Sequence, residues 1–117
     1  MVKPISPKDV VQAKHDSLPD EVMRAFNTLI AERWDGHSSY IKQGEVVKLI
    51  VESLEKNPTY QDLNPEKIRK LIFEKGWLDV EGVFRKVGWK VEFDRPGYNE
   101  TYEAHYTFTG KRGLIQE

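Results

Sequence analysis

The chain has 117 residues, 38% hydrophobic and 32% charged, with Trp 3, Tyr 5 and Phe 5, a size and composition that fit one folded domain and argue against disorder throughout. Eighteen Lys and Arg stand against nineteen Asp and Glu, so the net charge of −1 provides no global field to draw in nucleic acid or an anionic membrane. With Cys 0, disulfides, zinc–thiolate sites and thiol nucleophiles are excluded, and no apolar run approaches the roughly 18 residues of a membrane span.

Residues 1–16 carry charges where a signal peptide is apolar, so the expected compartment is the cytoplasm. Pro4 and Pro7 and sparse apolar positions make this stretch an arm or a short helix begun at Ser6-Pro7. Ser17 before Leu18-Pro19-Asp20 reads as an N-cap, followed by a helix whose face is Val22, Met23, Phe26, Leu29, Ile30 and Trp34 and whose stop is Gly36. Ser38–Ile41 reads either as a brief strand or as the lead-in to the next helix. That helix starts at Gly44, carries Val46, Val47, Ile50, Val51 and Leu54 at helical spacing, and ends at Asn57-Pro58. Asn64 caps a third, with Pro65 at its first position, Ile68, Leu71 and Ile72 inward and Gly76 beyond its end. Asp79 is the expected cap of a short helix carrying Val80, Val83, Phe84 and Val87 inward up to Gly88.

The period then changes from helical to alternating. Trp89, Val91 and Phe93, then Tyr102, Ala104, Tyr106 and Phe108, alternate with polar residues, so two strands form an antiparallel hairpin. Pro96-Gly97 suits the centre of a type II turn in the connecting loop. A hairpin alone is marginal in water, so its apolar face must lie on the helices. The expected fold is therefore a single α+β domain over 1–117: an arm or short helix at 1–16, a helical part at 17–88, a C-terminal hairpin at 89–109 and a frayed tail at 110–117. Its core runs from Val22, Phe26, Leu29 and Ile30 through Val46, Ile50, Leu54, Ile68, Leu71 and Ile72 to Val83, Phe84, Val87, Trp89, Val91, Phe93, Tyr106 and Phe108.

Helix, short strand, helix, helix, short helix and hairpin is an element order that resembles winged-helix domains. A second resemblance rests on the stretch Val83-Phe84-Arg85-Lys86-Val87-Gly88-Trp89-Lys90-Val91-Glu92, on Gly97-Tyr98-Asn99-Glu100-Thr101-Tyr102-Glu103, and on the opening Ile5-Ser6-Pro7-Lys8-Asp9. These segments resemble small accessory proteins encoded by large tailed bacteriophages. The resemblance implies an accessory role and carries no catalytic residue with it.

Candidate chemistry is sparse. His15, His37 and His105 include no pair at the three- or four-residue spacing that aims two rings at one metal, and no phosphate-loop glycine run exists, so neither a metal nor another cofactor is expected. Trp34-Asp35-Gly36-His37-Ser38-Ser39 brings catalytic residue types together, but triads are tertiary arrangements and a helix-stop loop is the ordinary reading. His105 reads as an exposed strand histidine beside Glu103 and Thr107. The carboxylates sit at solvent-face spacings, so no catalytic residue and no small-molecule substrate is indicated.

Two binding readings remain. From 67 to 90, Lys67, Arg69, Lys70, Lys75, Arg85, Lys86 and Lys90 outnumber Glu74, Asp79 and Glu81, the pattern of a nucleic-acid interface if they share a face. The hairpin that follows is acidic, with Glu92, Asp94, Glu100 and Glu103 against Arg95 alone, and would repel phosphates. The favoured reading is protein binding through Tyr98, Arg95, Asn99, Glu100 and Glu92. Tyr40, Tyr60 and Trp77 are further candidate contact aromatics, and the second hairpin strand is expected to leave an edge for a partner strand or a second copy.

Overall fold

Proline punctuation and helical spacing give five α-helices in the computed structural model, which describes residues 4–110. Helix α1 (Pro7–Ser17) settles the arm as a helix: Ser6 Oγ accepts from the Asp9 amide at 3.1 Å, and none of its side chains is fully buried. Ser17 is not the cap of the next helix. It ends α1, its hydroxyl donating to the Lys14 carbonyl, and α2 (Asp20–Glu32) starts after Pro19 with no side-chain cap. Helix α2 buries Val22, Ala25, Phe26, Leu29 and Ile30 and stops before Trp34, with Gly36 at φ 101° beyond it.

Ser38–Lys42 is a strand, β1. Its Ser39 hydroxyl is buried and donates to the Ile30 carbonyl at 2.6 Å, fastening β1 to α2. Helix α3 (Gln43–Glu55) follows at once and ends ahead of a 3-10 turn at Pro58–Tyr60. Helix α4 (Pro65–Glu74) carries the expected cap, Asn64 Oδ1 accepting from the Lys67 amide at 2.8 Å. The connector beyond Gly76 is buried rather than loose, with Trp77, Leu78 and Val80 in the core. Helix α5 spans Glu81–Lys86, and its N-cap is Val80, not Asp79, whose side chain caps nothing there. Because α5 ends at Lys86, Val87 falls outside the helical face and is 66% exposed, so it leaves the expected core.

The hairpin strands are β2 (Trp89–Asp94) and β3 (His105–Gly110). Strand β3 starts three residues later than the alternation of Tyr102 and Ala104 suggests and takes in Gly110, assigned to the tail; the rest of that tail lies outside the described residues. The sheet order is β1-β3-β2, antiparallel throughout, so β3 is the central strand and offers no free edge; the edges are β1 and β2. Val91, Tyr106, Phe108 and Ile41 point to the helices. Phe26 of α2 sits at the centre of an aromatic cluster, with ring centroids 5.2 Å from Tyr106, 6.0 Å from Phe84 and 6.2 Å from Phe108. Leu71, Trp89 and Phe93 are half-buried at its margin.

Candidate functional site

The loop between β2 and β3, residues 95–104, is braced at both feet. At the first foot the Tyr102 hydroxyl lies 2.8 Å from both Asp94 Oδ1 and the Arg95 carbonyl. The hydrogen bond to Asp94, helped by partial desolvation and the charges of Asp94 and Glu100, pushes the Tyr102 phenol up to about 12. At the second foot Glu103 Oε2 accepts from the Gly44 amide at 2.9 Å, and the Gln43 amide donates to the Ala104 carbonyl at 2.8 Å. The turn is not centred on Pro96-Gly97, because Gly97 lacks the positive φ that a type II turn demands at that position. Instead the Glu100 amide donates to the Gly97 carbonyl, the Gly97 amide donates to Glu100 Oε1, both at 3.1 Å, and Tyr98 and Asn99 lie between them.

This geometry leaves Tyr98 fully exposed at 101%, with Arg95, Asn99, Glu100 and Glu92 also exposed. Trp77 is buried and Tyr60 half-buried with its ring 6.3 Å from Trp77, so neither offers the contact surface suggested for it. Tyr40 is exposed on the outer face of the sheet, where strand register aligns Tyr40, Thr107 and Glu92 in one row and Lys42, His105 and Asp94 in the next. His105 is not an open strand histidine: its side chain is 16% exposed, its ring lies 4.5 Å from that of Tyr40, and its Nε2 is 3.9 Å from Asp94 Oδ2.

The cations of 67–90 do not gather on one face. Arg85 donates to the Val91 carbonyl at 2.8 Å, Lys86 to Gln12 on α1 at 2.7 Å, Lys90 pairs with Glu92 at 3.2 Å, and Lys70 lies 3.8 Å from Glu74. Arg69 lines a groove with Glu52 and Glu55 of α3, while Lys67 and Lys75 are exposed on α4 and at its end. Four of the seven are thus engaged by three different elements. Asp35 and His37 form no catalytic pair, since Asp35 Oδ1 accepts instead from the His37 and Ser38 backbone amides at 2.9 and 2.7 Å, which holds its carboxyl below the usual range.

A cleft of about 210 Å³ opens beside the loop, lined by Gln43, Ile72, Phe73, Gly76, Leu78, Asp79, Glu81, Phe93 and Tyr106. Its residues come from α3, α4, the connector, α5 and both hairpin strands, a convergence that no local spacing signals. Burial, reinforced by the charge of Asp79 and a hydrogen bond to it, holds the Glu81 carboxyl above its usual range. Among the described residues no helix is long and apolar enough to cross a membrane, and no group of three His, Asp or Glu residues is placed to hold a metal. No family model, no curated protein and no solved structure matches the chain.

Proposed function

We propose that this is a non-enzymatic accessory protein of the phage-encoded kind its terminal segments resemble, working in the cytoplasm by binding another protein through the 95–100 loop. The observation that carries this reading is Tyr98, a wholly exposed aromatic at the tip of a loop anchored at both ends. Bracing matters because a pre-ordered loop loses little conformational entropy on binding, and Tyr adds contact area with few torsions to freeze. Arg95, Asn99, Glu100 and Glu92 supply the polar rim around it. The test is affinity capture from a bacterial lysate with wild type, Tyr98→Ala, and a Lys67→Glu, Lys70→Glu double variant. A partner retained by wild type and the double variant but lost by Tyr98→Ala supports the loop; a partner insensitive to Tyr98→Ala removes it.

A second reading, nucleic-acid binding, draws support from the element order that resembles winged-helix domains and from Lys67, Arg69 and Lys70 exposed on α4. Its signature is binding to labelled DNA or RNA at about 50 mM salt that collapses by about 200 mM, with loss in the double variant. The scatter of Arg85, Lys86 and Lys90 among other partners weighs against it.

A further inference from the structure

The alternation of ladder hydrogen bonds decides which backbone groups of the sheet are left over. The Gly110 amide donates to the His37 carbonyl and the Gln43 amide to the Ala104 carbonyl, so even-numbered positions of β3 turn their N–H and C=O groups to β1. Its odd-numbered positions, His105, Thr107 and Thr109, therefore serve β2, where they face Asp94, Glu92 and Lys90. This parity leaves the N–H and C=O groups of Trp89, Val91 and Phe93 on the outer edge of β2.

The two edges of the sheet differ in how they are closed. On β1 the outward groups of Ser38 are taken by the preceding loop, since the Asp35 amide donates to the Ser38 carbonyl at 3.0 Å and the Ser38 amide to Asp35 Oδ1 at 2.7 Å. Among the described residues, β2 has one such cover: Arg85, itself exposed, donates to the Val91 carbonyl at 2.8 Å. An open strand edge is a template for another strand, and its side chains decide which strand fits. The run Trp89-Lys90-Val91-Glu92-Phe93 places opposite charges, and an aromatic at each end, symmetrically about Val91. When two such strands pair antiparallel about Val91, Lys90 of each lies opposite Glu92 of the other on the outer face. Trp89 then meets Phe93 of the second copy on the side facing the helices, where both rings are only half-buried in the single chain. A centre on Lys90 or on Glu92 would instead set like charges against each other.

We propose that two copies of this chain join through their β2 edges, antiparallel and centred on Val91, to make one continuous sheet. Arg85 is the gate of this contact, because its hydrogen bond to the Val91 carbonyl is exchanged for one from the Val91 amide of the second copy. The 95–104 loops stand at opposite ends of the paired strands, so self-association leaves Tyr98 open and does not depend on the loop reading.

Sedimentation equilibrium of the full chain at neutral pH, from about 10 to about 500 μM, should show a reversible approach to the mass of two copies. Lys90→Glu and Glu92→Lys each set like charges opposite one another and should weaken association about tenfold or more. The variant carrying both reinstates unlike pairs in the same register and should restore the wild-type constant to within about threefold. Arg85→Ala, which uncovers the Val91 carbonyl, should strengthen association. In the wild type, exchange of the Trp89, Val91 and Phe93 amides should slow as concentration rises, while the Lys90 and Glu92 amides, already paired with β3, keep a constant rate.

The mass of a single copy across the whole range overturns the proposal. Association unaltered by both charge reversals does the same, as do edge amides whose exchange ignores concentration. Losses that the double variant fails to restore overturn the register centred on Val91, and an unchanged constant in Arg85→Ala overturns the gate. Preserved amide dispersion establishes the fold of each variant, and the exchange experiment needs no variant at all.

Discussion

Glu103 closes the N-terminus of α3 from 59 residues away, its carboxylate accepting a 2.9 Å hydrogen bond from the Gly44 amide. Helix α3 has no side-chain cap of its own, since the residue before it is Lys42, so a carboxylate delivered by the hairpin loop takes that place and meets the positive end of the helix dipole. Loop and helix therefore order one another. Glu103→Ala should destabilise the protein by about 0.5–2 kcal/mol in urea unfolding. It should also accelerate exchange of the Gly44 amide, whereas unchanged exchange there would mean that the loop does not brace the helix.

The Tyr106 hydroxyl donates to the Leu78 carbonyl at 2.6 Å inside the core, joining the central strand to the α4–α5 connector. Desolvation, with the nearby charges of Glu81 and Asp79, keeps this phenol protonated well beyond its ordinary range. Tyr106→Phe retains the ring but leaves a buried carbonyl without its donor, at a cost of about 1–3 kcal/mol. Equilibrium unfolding with an unchanged denaturant slope is the check.

Phe84 and Val87 lie three residues apart and contrast in burial, 4% against 66% exposed. Phe84→Ala should cost about 3–5 kcal/mol, because it empties the space between Phe26 and Phe108. Val87→Ala should stay within about 0.5 kcal/mol of wild type. Equal losses in the two variants would show that α5 continues past Lys86.

Glu81 gives a pH dependence of defined sign. Its carboxyl is raised in the folded state above the ordinary 4.5, chiefly by burial, so the folded protein holds that proton more tightly than the unfolded chain. The associated stability is fully present below the ordinary glutamate range and is lost as pH rises through the folded value. Glu81→Gln cannot undergo that loss, so the variant should melt above wild type at neutral pH, and the difference should shrink in acid. A variant that melts below wild type at neutral pH, with the gap unchanged in acid, would contradict the raised carboxyl.

Elements governed by local signals are legible in the sequence: α2, α3 and α4 follow from apolar residues three and four apart, and Asn64-Pro65 marks the start of α4. Strand β1 is ambiguous by spacing, because five residues cannot distinguish a strand from a helix lead-in; what makes it a strand is pairing with β3, more than 60 residues on. Trp77, Leu78 and Val80 are buried without any period, since a connector pressed between α4 and α5 follows no repeat. The loop residues Tyr98 and Glu100 are legible as a turn, but its centre is displaced from Pro96-Gly97 by the Gly97–Glu100 hydrogen bonds. The cleft is invisible from sequence because Phe73, Glu81 and Tyr106 meet only when helix and hairpin dock.

The position of β3 between β1 and β2 bears on how the protein is made. Both outer strands are synthesised before the strand that joins them, and neither has a pairing partner until residues 105–110 leave the ribosome. Until then Ile41, Val91 and Phe26 of α2 lack the β3 side chains they pack on, and residues 38–42 and 89–94 lack their ladder hydrogen bonds. Formation of the sheet therefore waits for residues 105–110, and a ribosome stalled ahead of His105 would hold a species whose strands are open to pairing with other chains.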